Sequence, residues 1–341
     1  MAGRFRSVLS LLVIAIMMAL APAVSAYYSG VVTSGNPLAG HPWFVDWQWG
    51  SWGLALKHHP NQAAPLRPYA DNPMAKWFGN FISTNQIRSG IRSYLARAQA
   101  EEPGSIAFVD MSRTEWPSCP YPKHLKSKFS VSSIEKWVDQ FSKGVGDYPV
   151  QIDLETDDLA VIKCLPPAAQ VRRYREISYE VHTLHKNNPH AVVYIDAGAS
   201  DWGQKPQWIA ERLRKADIAE AQGFELGASH YDWTSREIRY GLAISRLLGG
   251  KHFVVNTAEN GWGPKPRFYS PFYHRGCTPP GEGLGIRPTV NTGNHLIDAF
   301  VWSETPGWET GTCIGLPKSA PYNFHLWWAV DIARNANPPA N

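Results

Sequence analysis

Short runs of β-branched and aromatic residues recur along this chain, and most of them close on a carboxylate or an amide. The candidate strands are Trp43–Asp46, Ile106–Asp110, Val150–Glu155, Val192–Asp196, Gly223–Leu226, Phe253–Thr257 and Ala299–Trp302. Amphipathic helical patterns lie between several of them. Ile134, Trp137, Val138 and Phe141 mark one helical face, Val171, Tyr174, Ile177, Val181 and Leu184 a second, and Ile209 with Leu213 a third. Strands that alternate with helices predict an α/β barrel-like fold with a parallel sheet of about seven strands. In such barrels the site is built at the carboxyl ends of the strands. Asp110, Glu155 with Asp157, Asp196, Glu225, Asn256 and Glu304 would then converge on one cleft. The competing explanation for each is a turn-starting Asp or Asn. It accounts for single positions better than for the whole set.

Residues 1–26 read as a secretory signal peptide. Arg4 and Arg6 precede an apolar run from Leu11 to Ala21, and Val24 and Ala26 suit cleavage after Ala26. The run is short for a membrane span. The expected mature protein is residues 27–341, one domain, exported and free of the membrane after cleavage. Export gives meaning to the four Cys, Cys119, Cys164, Cys277 and Cys313. An even number in an oxidising compartment favours two disulfides, of which three pairings are possible. Sequential pairing would close two medium loops. No Cys-x-x-Cys spacing suggests zinc, and no metal or cofactor is expected.

The formal net charge is +4, of which Arg4 and Arg6 in the leader supply two. No basic run provides a nucleic-acid footprint. The 15 Trp instead suit stacking on neutral, flat ligands such as sugars. Trp47, Trp49 and Trp52 lack simple core spacing and, with Trp202, are candidate platforms. Trp327 and Trp328 read as core. His182 and His185 share a helix face without a third ligand, and Gly281, Gly283 and Gly285 do not form a strand-to-helix nucleotide loop.

Five segments in order resemble glycoside hydrolase family 6, the inverting β-1,4-glucanases. They are Asn36-Pro37-Leu38-Ala39-Gly40, Glu155-Thr156-Asp157-Asp158-Leu159-Ala160 and Val193-Tyr194-Ile195-Asp196-Ala197-Gly198 followed by Trp202. Cys277-Thr278-Pro279-Pro280-Gly281-Glu282-Gly283-Leu284-Gly285 and Arg334-Asn335-Ala336-Asn337-Pro338-Pro339 complete the set. The resemblance implies a distorted barrel with two disulfide-tied loops over its cleft. It also implies a monomer that acts on a polysaccharide. Inversion needs one carboxylic acid to protonate the leaving oxygen and a base to activate water on the opposite face. By resemblance Asp157 is the acid. The crowding of Asp153, Glu155, Asp157 and Asp158 agrees, since repulsion and burial raise a carboxyl pKa. A helix N-cap is the structural alternative for Asp157 or Asp158.

The chain also departs from the family pattern. The supporting Asp before the first Cys is absent, and Glu115 is the nearest replacement. Thr310 stands at the expected base Asp, and Thr cannot accept a proton as a carboxylate does. Glu309 or Glu304 then takes over as base, a water chain relays the proton to Asp196, or the reaction differs. Ala199 replaces a family His. Two cationic positions have become Glu259 and Glu304, which would suit an amino sugar or another sugar shape better than a neutral glucan. Asn256, Glu259, Trp302 and Glu304, with Trp47 and Trp202, are the expected substrate contacts. A carbohydrate-binding relative without catalysis is the other outcome this pattern allows.

Overall fold

The computed structural model describes residues 35–114, 128–264, 281–309 and 323–337. Seven strands form one parallel sheet, in sequence order: β1 (Lys76–Gly79), β2 (Ala107–Ser112), β3 (Val150–Leu154), β4 (Ala191–Asp196), β5 (Gly223–Leu226), β6 (His252–Asn256) and β7 (Ile297–Val301). Parallel neighbours need crossovers. Helices supply them: α2 (Thr84–Glu101), α3 (Val131–Val145), α4 (Asp158–Val161) with α5 (Pro167–Asn187), α6 (Pro206–Lys215) and α7 (Thr234–Leu247). α1 (Ser51–His58) precedes the sheet and α8 (Leu326–Arg334) follows it.

The sheet curls until its two edges nearly meet. No ladder joins β7 to β1, but the Ala75 amide donates to the Trp302 carbonyl at 2.9 Å. The Trp77 indole adds a 2.9 Å bond to the Ser303 carbonyl. The barrel is thus closed by a few bonds beyond the strand ends.

Successive side chains alternate across a strand, and this sorts the core. Outward residues such as Val109, Ile152, Val193, Ile195, Phe224 and Val255 pack under α2, α3, α5, α6 and α7 in one large apolar cluster. Inward residues Ile106, Phe108, Val192, Tyr194, Val254, Ala299 and Val301 fill the barrel. Two residues further along the same inward rows, the chemistry changes to Asp110, Asp196, Asn256 and Ser303. Asp153 and Glu225 join them on β3 and β5, and all six are buried. Register places Asp110 beside Asp153, and Asp196 beside Glu225.

Most of the expected elements are present, with shifts of one or two residues. Gly223–Leu226 matches β5. The expected first strand, Trp43–Asp46, is instead a single parallel bridge from Trp43 to Ile106. The edge role falls to β1, too short and too aromatic–glycine in character to carry a period-2 signal. Ile134, Trp137, Val138 and Phe141 are all buried on α3. On α5 the inward stripe begins with charge: Arg173, Glu176 and Glu180 precede or interleave with Ile177, Val181 and Leu184. Val171, expected on that face, is 61% exposed. Trp328 is buried as expected, but Trp327 is exposed, because adjacent helical positions point about 100° apart.

Candidate active site

The chain leaves β3 through two residues in left-handed backbone conformation, Glu155 (φ 56°) and Asp157 (φ 68°). Such φ values are costly for side chains bearing a Cβ and persist where surroundings over-determine them. The surroundings are visible. Glu155 accepts the Arg113 amide at 2.6 Å and the Thr114 amide at 3.0 Å, and the Thr114 hydroxyl bonds both Glu155 and Asp158. Arg173 of α5 pairs with Asp158 and, at 3.2 Å, with Glu176. The turn is therefore locked to β2 on one side and to α5 on the other.

Asp157 occupies the N-cap position of α4, yet its side chain makes no cap bond. Its two carboxylate oxygens instead lie 2.8 and 2.7 Å from the Ser229 hydroxyl, beyond β5. The N-cap explanation is thereby replaced by a carboxyl turned into the cleft. Burial pushes its pKa up. The nearby charge of His230 and the Ser229 hydrogen bond pull it down, and Asp158 and Asp201 push it up again. A carboxyl that holds its proton longer than usual is suited to donating it.

Asp196 braces the Asp157 backbone. Its Oδ1 accepts the Asp157 amide at 2.9 Å and the Gly198 amide at 2.8 Å. Burial, then the Asp157 charge, raise its pKa well above the ordinary carboxylate range. Deeper in the barrel, burial lifts Asp110 to about 7, with the Ser112 and Thr156 hydroxyls opposing. Burial likewise lifts Asp153 to about 8. The floor of the cleft is a set of carboxyls whose burial favours the uncharged form.

A second acidic group lies near Asp157. Asp201, Asp232 and Glu237 bring carboxylate oxygens within 4.8 Å of one another. Their bonds are taken up within the protein: the Ser200 hydroxyl donates to Asp232 and Glu237, Arg236 pairs with Asp232, and His230 with Asp201. Trp202 lies beside them, half-buried, its indole N–H aimed at the His230 imidazole. Sequence reasoning set the histidines aside and missed His230 and Ser229. Their signal was positional: both follow β5 at the same level as Asp157 and Asp196.

Other expected contacts divide. Trp47 (45% exposed) and Trp49 (62%) offer open indole surface ahead of α1. Trp52 does not; it is buried against Trp302 at 6.1 Å between ring centroids. Trp302 has no exposed surface, and its indole donates to the Ile286 carbonyl at 3.0 Å, so it packs the core instead of presenting a platform. Asn256 is saturated by backbone. It donates to the Gly227 and Ala228 carbonyls and accepts from the Ala258 and Ser303 amides, which makes it a brace instead of an open sugar contact. Glu259 is buried and Glu304 half-buried at the neighbouring strand ends. Backbone places Glu309 in a two-residue strand, Trp308–Glu309, paired with Asn323–Phe324. Glu115, Thr310, Cys119, Cys277 and Cys313 lie outside the described residues, as does the leader. Cys164 follows α4 and is disulfide-bonded.

A parallel, incompletely closed barrel with a buried carboxyl of raised pKa at its strand ends and a half-buried indole nearby suits a glycosidase cleft. Sequence comparison makes this specific: the family model for glycosyl hydrolases family 6 matches residues 53–323, and the chain belongs to that family. Endoglucanase A of Thermobispora bispora is 29% identical over 94% of this chain and 70% of its own length. Endoglucanase A of Cellulomonas fimi is 33% identical over 80% of this chain, which spans only 56% of that protein. A solved endoglucanase from Mycobacterium tuberculosis, in complex with methyl-cellobiosyl-4-deoxy-4-thio-β-D-cellobioside, superposes with a TM-score of 0.78. It is 32% identical, over 88% of this chain and 99% of that one.

Proposed function

We propose that this protein is an exported glycoside hydrolase that cleaves β-1,4-linked glucan, or a closely related polysaccharide, with inversion at the anomeric carbon. The observation that carries the reading is Asp157: a buried carboxyl with a raised pKa, held in a left-handed turn at the end of β3 and clasped through both oxygens by Ser229. Asp157 gives its proton to the glycosidic oxygen as the bond to C1 breaks. Water enters C1 from the opposite face and loses its proton to a base. Asp196 is poorly suited to be the base, because burial and the neighbouring Asp157 charge favour its protonated form; its part is to fix the Asp157 backbone. The base then comes from Glu309 or from Glu304, beyond the end of β7, with Glu115 in the supporting role. Trp202 and Trp47 are the sugar platforms. The relatives named above, as endoglucanases, support the substrate class. Two disulfides, Cys119–Cys164 and Cys277–Cys313, tie the cleft loops, and the leader directs export. The protein acts as a monomer.

A reducing-end assay across β-1,4-glucans, chitosan and cell-wall polysaccharides tests this reading, with product anomers followed by NMR. Initial release of the α-anomer from a β-1,4-glucan, lost in Asp157→Ala, is the expected result. Chitosan as the best substrate would transfer the activity to an aminated polymer, as Glu259 and Glu304 allow. Oligosaccharide binding by calorimetry with no reducing ends released would make the protein a binding relative and overturn the proposal.

A further inference from the structure

Among the described residues eight large apolar side chains are exposed, and six of them are tryptophan, flat surfaces suited to the apolar face of a pyranose ring. Two of these, Trp233 (41% exposed) and Trp262 (44%), sit on the loops that follow β5 and β6. Those loops are next in order to the β4 loop that carries Trp202, and bonds tie the three together. The Ser200 hydroxyl donates to Asp232 at 2.6 Å, and the Asn260 side-chain amide donates to the Asp232 carbonyl at 3.1 Å and to the Thr234 hydroxyl at 3.0 Å. Trp233 is also held in plane. Gly263, in left-handed conformation (φ 60°), lies against its indole, and a Cβ there would fall 2.2, 2.4 and 2.5 Å from ring atoms Cε2, Cδ2 and Nε1. Near-equal approach to three adjoining atoms puts that point over the ring face and not at its edge. Only glycine combines this φ with so close an approach. Backbone therefore covers one face of the indole, and the exposed area lies on the other. The Trp262 indole donates to the Asn335 carbonyl at 2.7 Å, and the Asn337 side chain donates to the Gly261 carbonyl at 2.9 Å, which fixes the second loop to the chain after α8.

We propose that Trp233, with Trp262 beside it, is a second sugar platform, which takes the polysaccharide chain beyond the sugars held at Asp157 and Trp202. The ligand is a β-1,4-linked pyranose chain, and naming it rests on the function proposed above. Because Gly263 fixes the plane of the indole, the open face is presented without the entropy cost of ordering a mobile side chain. Arg236, exposed in the first turn of α7 and paired with Asp232 at 3.1 Å, offers hydrogen bonds to the hydroxyls of a sugar seated there.

The test is cellohexaose binding to the Asp157→Ala protein, in which hydrolysis is slowed. It is read by calorimetry and by the Trp233 indole N–H resonance, assigned through Trp233→Phe. That resonance is expected to move as cellohexaose is added and to saturate with the calorimetric isotherm. In the same background Trp233→Ala weakens binding about three- to tenfold, the value of one aromatic stacking contact. Trp233→Tyr, which keeps a flat ring, restores most of it. Gly263→Ala sets a methyl group on the indole face, leaves the indole in the chain, and weakens binding as well. An unmoved resonance, a folded Trp233→Ala protein of unchanged affinity, or a Trp233→Tyr protein as weak as Trp233→Ala overturns the proposal. A wild-type protein that is dimeric by light scattering and monomeric as Trp233→Ala would make the indoles an interface between copies, and would overturn it too. If cellohexaose binds through Trp233 but the wild type cleaves no glucan, the functional reading fails and this one stands. If glucan is cleaved and Trp233 is silent, the reverse holds.

Discussion

The ends of β3 and β7 lie on opposite walls of one cleft and are built on opposite principles. After β3 the chain passes through two left-handed residues and four carboxyls within six positions, Asp153, Glu155, Asp157 and Asp158. Ion pairs and hydroxyl bonds to β2 and α5 hold that turn. After β7 the chain runs through Trp302 and Ser303, held mainly by uncharged bonds to Asn256, Ala75 and Trp77, with the Ser303 hydroxyl also donating to Glu225. Carboxyls and an arginine build the first wall, and mainly uncharged bonds keep the barrel shut at the second. A charged wall is sensitive to pH and to loss of a partner, whereas a neutral brace responds mainly to lost bonds and volume.

Asp157→Ala should separate the walls most sharply. Removing a general acid costs about 10²–10⁴-fold in rate, so kcat on a substrate with a poor leaving group should fall by that range. KM and thermal stability should change little. Activity close to wild type on such a substrate would move the acid elsewhere.

Arg173→Ala attacks the same wall through its scaffold. Asp158 would lose its buried cation, and breaking a buried pair costs about 3–5 kcal/mol. Urea unfolding should show that loss. On the neutral wall, Asn256→Ala leaves two carbonyls and two amides without their side-chain partner. Buried unpaired groups cost about 1–3 kcal/mol each, and water entry would offset part of that. A loss of about 2–4 kcal/mol that does not vary between acid and neutral pH is expected. If the loss followed pH, the wall would not be neutral.

The smallest effect expected concerns Glu180 of α5, fully buried beneath Glu155. Burial and the neighbouring Glu155 raise the pKa of Glu180 well above the usual range, and Glu155 itself is lifted to about 8, mainly by burial. Between the unfolded and folded pKa values the folded state binds more protons than the unfolded chain. Stability from these groups is therefore greatest at acid pH and falls as pH rises toward 8. Glu180→Gln stays neutral at every pH, so it should raise Tm by a few degrees near pH 8, about 1–2 kcal/mol, and much less near pH 5. An equal shift at both pH values would show that no proton is bound there.

Much of the charged wall was legible in the sequence. The family resemblance singled out Asp157, with which the crowding of carboxylates at the end of a β-branched run agreed, and the alternation of strands with helices identified the sheet. The neutral wall was not legible. Asn256 and Trp302 carry residue types that bind sugars, and nothing local distinguishes a saturated amide or a covered indole from an open one. Ser229 and His230 were passed over for a related reason: they reach Asp157 and Trp202 across 72 and 28 positions of chain.

The sequence by itself determined the parallel α/β architecture and the level at which acidic groups collect, because period-2 alternation and helical amphipathicity are local properties of the chain. Only the tertiary structure decided which of those groups does what. Burial sets a carboxyl's proton affinity and register sets its neighbours, so Asp157 is the proposed acid, Asp196 accepts its backbone amide, and Asn256 is a brace.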